Sequence, residues 1–571
     1  MQRLPYLQIC GHVHFNASFV TESNRKKNRR NRDGELYLSA QRETVSDLSF
    51  DLESPTAHEG ALLMVTGVKR LENDRFFSAM HRHNHSSRVK FFLVAVMLSS
   101  GGCGSKLGRK KNIGHPIFCC FAQLPNQVIS QVSQKEKVRP FSPTPQSLRN
   151  YKLSLLDILA GTSYTPIVFF YDSRAGGHDY DELKDSLMKT LSVLYPLAGR
   201  IKDGSTIECN DEGADFVRAN VTNCDLGEFL RHPKLEDIRQ LLPHDPYPNA
   251  IHPAQPMLAV QVNRFRCGGT AVAFCVWHGL ADAGALTGLF NTLAAINRGE
   301  GPISPDGLIV DASAIFRPGN FVSTPLKPIS LENRGKYSSK RFVFGKQDIE
   351  RLRNDYYHPS EHRRRPSRVQ ALSAFIWAAV IRAILPANPN LKTHLLTNVV
   401  NLRKKLNPPF HSECLGNINQ VVAARWESEA DGCGRVTARF LVGRVVEAIH
   451  KITDDYLREM HAEGGYLRAI LGVSSKKHHN PDEIKVLSIT SLCNIPFSKV
   501  DFGWGKPMWI GLGHTLEDWV VFMDTENGGV EVWIGLKQEV MCNLDKDMEF
   551  HAYVSFSQMV SEPSCPLRSA L

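Results

Sequence analysis

Over most of its length the chain shows the two apolar spacings that secondary structure requires, a period of two for strands and of 3.6 for helices. Thr165–Tyr171 is a short, nearly continuous apolar run and predicts a buried strand. Asp179–Leu194 carries Leu183, Leu187, Leu191 and Leu194 at helical spacing, and Pro196 and Gly199 end the helix it predicts. Leu258–Phe265 and Thr270–Trp277 predict two more strands, and Ala283–Ile296 a helix. Further on, the pattern predicts a helix over Ser367–Leu385, a strand over His394–Val400 and a long helix near Arg435–His461. Strands follow at Ile484–Ser491, Met508–Gly511, Trp519–Thr525 and Gly529–Leu536. Strands and helices mix in both halves, which predicts an α/β or α+β chain of two similar-sized domains.

Two stretches break this regularity. Residues 311–337 hold Pro318, Gly319, Pro325 and Pro328 with little periodicity, as a crossover between domains would. Residues 1–124 contain a basic run at Arg25–Arg32, the His-rich stretch His81–His85 and no pattern able to bury a core. The expected organisation is an extension over 1–124, a first domain over 125–310, the crossover over 311–337 and a second domain over 338–571.

Composition excludes several classes. The net charge is +10 over 571 residues, but residues 1–124 supply 18 basic and 10 acidic side chains. The remainder, at +2, is close to neutral, which argues against a nucleic-acid-binding body. The 13 cysteines include no Cys-x-x-Cys pair, and adjacent Cys119 and Cys120 do not suit a zinc site, so no metal is expected and the thiols read as reduced. Phe91–Leu98 is far short of the roughly 20 apolar residues a membrane helix needs, and the first 20 residues hold no continuous apolar run of the signal-peptide kind. A cytoplasmic protein with no membrane partner is the expectation. Neither a Gly-x-Ser-x-Gly elbow nor a phosphate-binding P-loop occurs.

The chemistry concentrates in two motifs. Four His-x-x-x-Asp spacings occur, at His278/Asp282, His450/Asp454, His478/Asp482 and His514/Asp518. Composition alone predicts about one, so the spacing is weak by itself. His278 stands out by context, because it ends a buried strand and Asp282 sits where the N-cap of the next helix belongs. The small residues Gly279, Ala281, Ala283 and Gly284 leave room there for a ligand. His450 and Asp454 lie within a charged helical stretch, His478 in a polar loop and His514 in a turn between two strands. The pentapeptide Asp501-Phe502-Gly503-Trp504-Gly505 is a far stronger signal, with a chance expectation on the order of one in several thousand.

Together these motifs resemble the BAHD family of acyl-CoA-dependent acyltransferases, in its vinorine-synthase-like branch. Tyr195-Pro-Leu-Ala-Gly-Arg200, Val400-Asn-Leu-Arg403, Gly416-Asn417 and the segment Ser367–Trp377 are similar to family segments as well. The resemblance covers about 125–571. It implies two domains of chloramphenicol-acetyltransferase-like topology with the active site in a tunnel between them. It further implies no permanently bound cofactor, acyl-CoA as co-substrate with acetyl-CoA the expected donor, a small-molecule alcohol such as an alkaloid or terpenoid as acceptor, and a monomer. His278 is the expected general base, and Asp501 either a second catalytic group or a clamp on its own loop with Arg403 as basic partner. Asp282, Gly284, Phe502, Gly503, Trp504 and Gly505 support the two motifs, and the Trp504 indole is a possible oxyanion donor. Two departures from the family pattern stand out. Gly279 replaces a long residue, often Lys, which should widen the turn, and Leu492 replaces a Trp in what resembles an acceptor-pocket wall. An N-acyltransferase on an amine and a non-catalytic protein of the same fold are the competing readings.

Deleting residues 1–124 is expected to leave activity and melting temperature within a few degrees of the full chain; a larger drop in calorimetry would show that the extension packs on the body.

Overall fold

The residues that the computed structural model describes are 128 to 558, with short interruptions, the longest at 320–335 and 471–482, and before them six short strands between Leu7 and Val65. The rest of the extension expected over 1–124 and most of the crossover lie outside the described residues, as does His478. In chain order the main elements are β1 (Ser130–Val138), β2 (Tyr164–Tyr171), α1 (Tyr180–Val193), β3 (Ala214–Val221), β4 (Leu258–Phe265), β5 (Thr270–Trp277) and α2 (Ala283–Asn297). There follow β6 (Tyr337–Phe344), α3 (Arg368–Ile384), β7 (Thr393–Asn401), β8 (Asn419–Glu427), α4 (Ala438–His450) and α5 (Asp454–Ala462). The last are β9 (Ile484–Ser491), β10 (Trp509–Leu512), β11 (Trp519–Asp524), β12 (Val530–Lys537) and β13 (Phe556–Gln558). All belong to one compact unit, Phe121–Leu571.

The strands form two mixed sheets. The first has the order β10-β2-β5-β4-β3-β1 and the second β8-β7-β9-β11-β12-β6-β13. Pairing is antiparallel except between β3 and β4, β7 and β9, and β9 and β11. Strand β5 lies inside the first sheet and all eight of its residues are buried, which is why its sequence is almost uninterruptedly apolar. Strand β1 is an edge, and most of its polar residues face water. Each sheet packs on its own hydrophobic core. Segment 497–512 crosses the expected boundary, since β10 comes from the second half of the chain yet pairs with β2 in the first sheet.

Helix starts follow capping chemistry. Ser367 and Gln370 form a reciprocal capping box that opens α3. The long helix expected near Arg435–His461 is instead two, α4 and α5. The break is a cap hidden in the apolar pattern. The Thr453 hydroxyl accepts from Tyr456 N at 3.3 Å, and Asp454 and Asp455 place negative charge on the first turn of α5. Thr453→Ala is therefore expected to cost about 1 kcal/mol, read as a lower urea midpoint with unchanged slope.

Candidate active site

His278 follows the last residue of β5, and its backbone is held from three directions. Its N–H donates to the Ser163 carbonyl at 2.8 Å, continuing the pairing of β5 with β2. Its carbonyl accepts from Ala281 N within the turn and from Asn417 Nδ2 at 2.7 Å, across from the second half of the chain. Asn417 is held in turn by Asp157, whose Oδ1 accepts from its backbone N at 2.6 Å and from its side chain at 3.1 Å. Ser154 donates twice to the other oxygen, and burial still raises the Asp157 carboxyl above its ordinary value. The imidazole is half-buried, and its Nδ1 is enclosed with no hydrogen-bond partner among the described residues.

Asp282 caps α2 by accepting from Ala285 N at 3.1 Å. Its carboxylate also receives a two-pronged ion pair from Arg403, both bonds 2.8 Å long. Ile418 N and Asn419 Nδ2 donate to the same group at 3.0 and 3.2 Å. Burial raises the Asp282 carboxyl, but the Arg403 guanidinium and these hydrogen bonds outweigh it and hold the group below its ordinary value. Arg403 is 1% exposed and donates further to the carbonyls of Cys414 and Gly416. Asp282 thus faces Arg403 and the backbone of 414–419.

The small residues of the turn make room for protein rather than ligand. A Cβ on Gly284 would stand 2.8 Å from the Arg403 guanidinium carbon. Ala281 is buried and bridges to Gly416. Gly279 does not widen the turn, because the Trp277 indole fills the space and would lie 2.5 Å from a Cβ there.

The pentapeptide lies elsewhere. Tyr171, at the far end of β2, donates from its hydroxyl to the Val500 carbonyl at 3.0 Å. Its ring packs on Phe502 and Trp504, with centroids 5.7 and 5.5 Å away. Tyr164, at the other end of β2, pairs with Trp277 next to His278. An eight-residue strand spans roughly 23 Å, so Asp501 stands far beyond hydrogen-bond reach of His278. At that distance neither the Asp501 carboxylate nor the Trp504 indole bonds to His278, which favours the clamp reading of Asp501 over the catalytic one. Asp501 Oδ1 accepts from Gly503 N and Gly505 N, both at 2.8 Å, which folds the loop back on itself. Gly503 and Gly505 sit at φ 86° and 82°, where only glycine is unstrained. The basic partner is Arg298, not Arg403, and Arg298 donates to the Asp501 backbone carbonyl. Asn297 Nδ2 donates to the Phe502 carbonyl at 2.6 Å. Helix α2, about 22 Å long, thus carries one motif at each end.

Of the remaining candidates, Leu492 follows β9 of the second sheet and packs, half-buried, against the first core. Asp454 pairs with Arg458 at 2.7 Å and accepts from Asn407 N, so His450/Asp454 is a surface pattern. His514, in the turn after β10, lies close enough to His278 for the two rings to interact electrostatically. Its ring value is pushed down to about 3 by burial, then by the charges of His278 and Arg239. The signal that would have found it is the pairing of β10 with β2, which no local pattern shows. Among the described residues no group of side chains suits a metal.

The chain belongs to the Transferase family, the BAHD acyltransferases, whose model matches residues 130–551. It is an acyl-CoA-dependent O-acyltransferase, as the curated relatives are named O-acetyltransferases and the family uses a CoA thioester. It is 34% identical to a limonoid 21-O-acetyltransferase of Citrus sinensis over 436 residues, 74% of this chain and 98% of the relative. It is 33% identical to vinorine synthase of Rauvolfia serpentina over 425 residues, 72% of this chain and 96% of the relative. The crystal structure of vinorine synthase superposes with a TM-score of 0.63, covering 74% of this chain and 98% of that one. TRI101 of F. graminearum, solved with coenzyme A and T-2 mycotoxin, shares the fold at a TM-score of 0.56 and 17% identity, covering 72% of this chain and 100% of that one.

Arg403→Ala leaves a buried carboxylate unpaired and is expected to cost about 3–5 kcal/mol in chemical denaturation. Asp282→Ala should cost a similar amount, and the double variant much less than the sum. Asp501→Ala, by contrast, should add to Arg403→Ala within about 0.5 kcal/mol. Coupling of Arg403 to Asp501 as strong as to Asp282 would refute these pairings.

Proposed function

We propose that the protein transfers an acetyl group from acetyl-CoA to a hydroxyl of a polycyclic alkaloid or terpenoid alcohol, with His278 as general base. The observation that carries the reading is the placement of His278. It is a half-buried imidazole on a backbone fixed by Ser163, Ala281 and Asn417, at the end of a fully buried strand. The acceptor class rests on the relatives named for limonoids and for stemmadenine. A monomer acting in the cytoplasm, with donor and acceptor meeting in a tunnel between two domains, completes the proposal.

The thioester is already activated, so the chain must supply a base and a fixed geometry. His278 takes the proton from the acceptor hydroxyl as its oxygen attacks the thioester carbon. The oxygen–carbon bond forms and the carbonyl oxygen becomes an oxyanion. On its collapse the carbon–sulfur bond breaks, and the imidazolium returns the proton to the leaving thiolate. The products are the ester and free CoA. Asp282 takes no proton in this sequence, since its oxygens are occupied by Arg403, Ala285, Ile418 and Asn419. Its part is to hold the turn.

The test is incubation with acetyl-CoA and a panel of alcohols and amines, following release of free thiol. His278→Ala should lower kcat by about 10²–10⁴ with an unchanged melting temperature. Asp501→Asn retains an oxygen able to accept from Gly503 and Gly505, and kcat should fall by less than about tenfold. A stable Asp501→Asn as inactive as His278→Ala, or a His278→Ala with full activity, would defeat the assignment.

A further inference from the structure

His514 lies on the same face of the first sheet as His278. Strand β10 runs antiparallel to β2 with Leu512 opposite Ile167, and two residues further the same register sets His514 opposite Thr165. On its other side Thr165 pairs with Val276 of β5, and His278 is two residues beyond Val276. Directly opposed residues share a face of a sheet, as do residues two apart along a strand. Gly513 shows how close this approach is, since a Cβ there would lie 3.2 Å from Pro166 Cβ and 2.7 Å from a Leu242 methyl.

The ring of His514 is fixed and neutral. Its Nδ1 shares a hydrogen bond with the Tyr247 hydroxyl at 3.0 Å, and Arg239 Nε reaches the carbonyl of neighbouring Gly513 at 3.4 Å. Burial first, then His278 and Arg239, hold its value near 3, so it carries no charge in the neutral range. A neutral imidazole has one donor and one acceptor nitrogen. Tyr247 occupies Nδ1, and Nε2 has no partner among the described residues. Between the two histidines the Thr165 hydroxyl is enclosed and unpaired, as is His278 Nδ1. The nitrogen left for a ligand is therefore His514 Nε2, which is not among the enclosed groups.

We propose that His514, oriented by Tyr247, is a positioning residue that binds a second oxygen of the acceptor while His278 takes the proton from the first. The acceptor is then a polyoxygenated alcohol, with another hydroxyl a few ångströms from the one acylated. A hydroxyl both donates and accepts, so it suits either tautomer of His514. The inference rests on His278 as the base, and its test therefore reads binding instead of turnover.

With CoA at saturation and no acyl donor, titration calorimetry of the full chain compares p-menthane-3,8-diol with menthol, the same skeleton lacking one hydroxyl. The diol is expected to bind about tenfold or more tightly than menthol. His514→Ala should weaken the diol alone and abolish the preference, with CoA affinity unchanged. Tyr247→Phe should reduce the preference, and His514→Gln, which keeps a donor and an acceptor, should restore part of it. No preference in the parent chain, including failure to bind either alcohol, overturns the inference. So does an equal loss for both alcohols in a folded His514→Ala. Failure of the base assignment shows separately, as transfer that survives His278→Ala.

Discussion

The buried carboxylate of Asp282 is the constraint on which the site depends. Its oxygens accept from Ala285 N, from both terminal nitrogens of Arg403, from Ile418 N and from Asn419 Nδ2. One group therefore starts α2, closes the turn that carries His278 and ties that turn to the second half of the chain. A charge this deep is tolerable only with such complete pairing. Replacing the pair by apolar side chains need not lower stability, but it would remove the tie between the His278 turn and residues 403–419. Asp157 repeats the device one step away, holding Asn417, which holds the His278 carbonyl.

Helix α2 explains how two distant motifs serve one site. Its first turn is capped beside His278, and Asn297 and Arg298 at its last turn grip the backbone of the Asp501–Gly505 loop. That loop leads into β10, which runs back along β2 toward His278 and ends just before His514. The aromatic stack of Tyr171, Phe502 and Trp504 anchors the start of this return path.

Several elements were legible because the physics behind them is local. Strands β4 and β5 match their expected bounds residue for residue, and β5 does so because a strand buried on both faces is nearly all apolar. Helix α3 matches because Ser367 and Gln370 announce its start. The long helix over Arg435–His461 misled because both of its halves share a helical period, and only the small cap at Thr453 separates them.

The sequence by itself determined the family, the two motifs and the N-cap position of Asp282, because each is a matter of residue type at short spacing. Tertiary structure alone decided the partners. Arg403, expected at Asp501, pairs with Asp282, and Arg298 takes its place at the loop. Gly279 meets the Trp277 indole, and His514 joins the face of His278 through a strand contributed from the second half of the chain. The reason is reach: hydrogen bonds and ion pairs act over about 3 Å in space, while the residues they join here lie more than a hundred positions apart, a distance that no local period encodes.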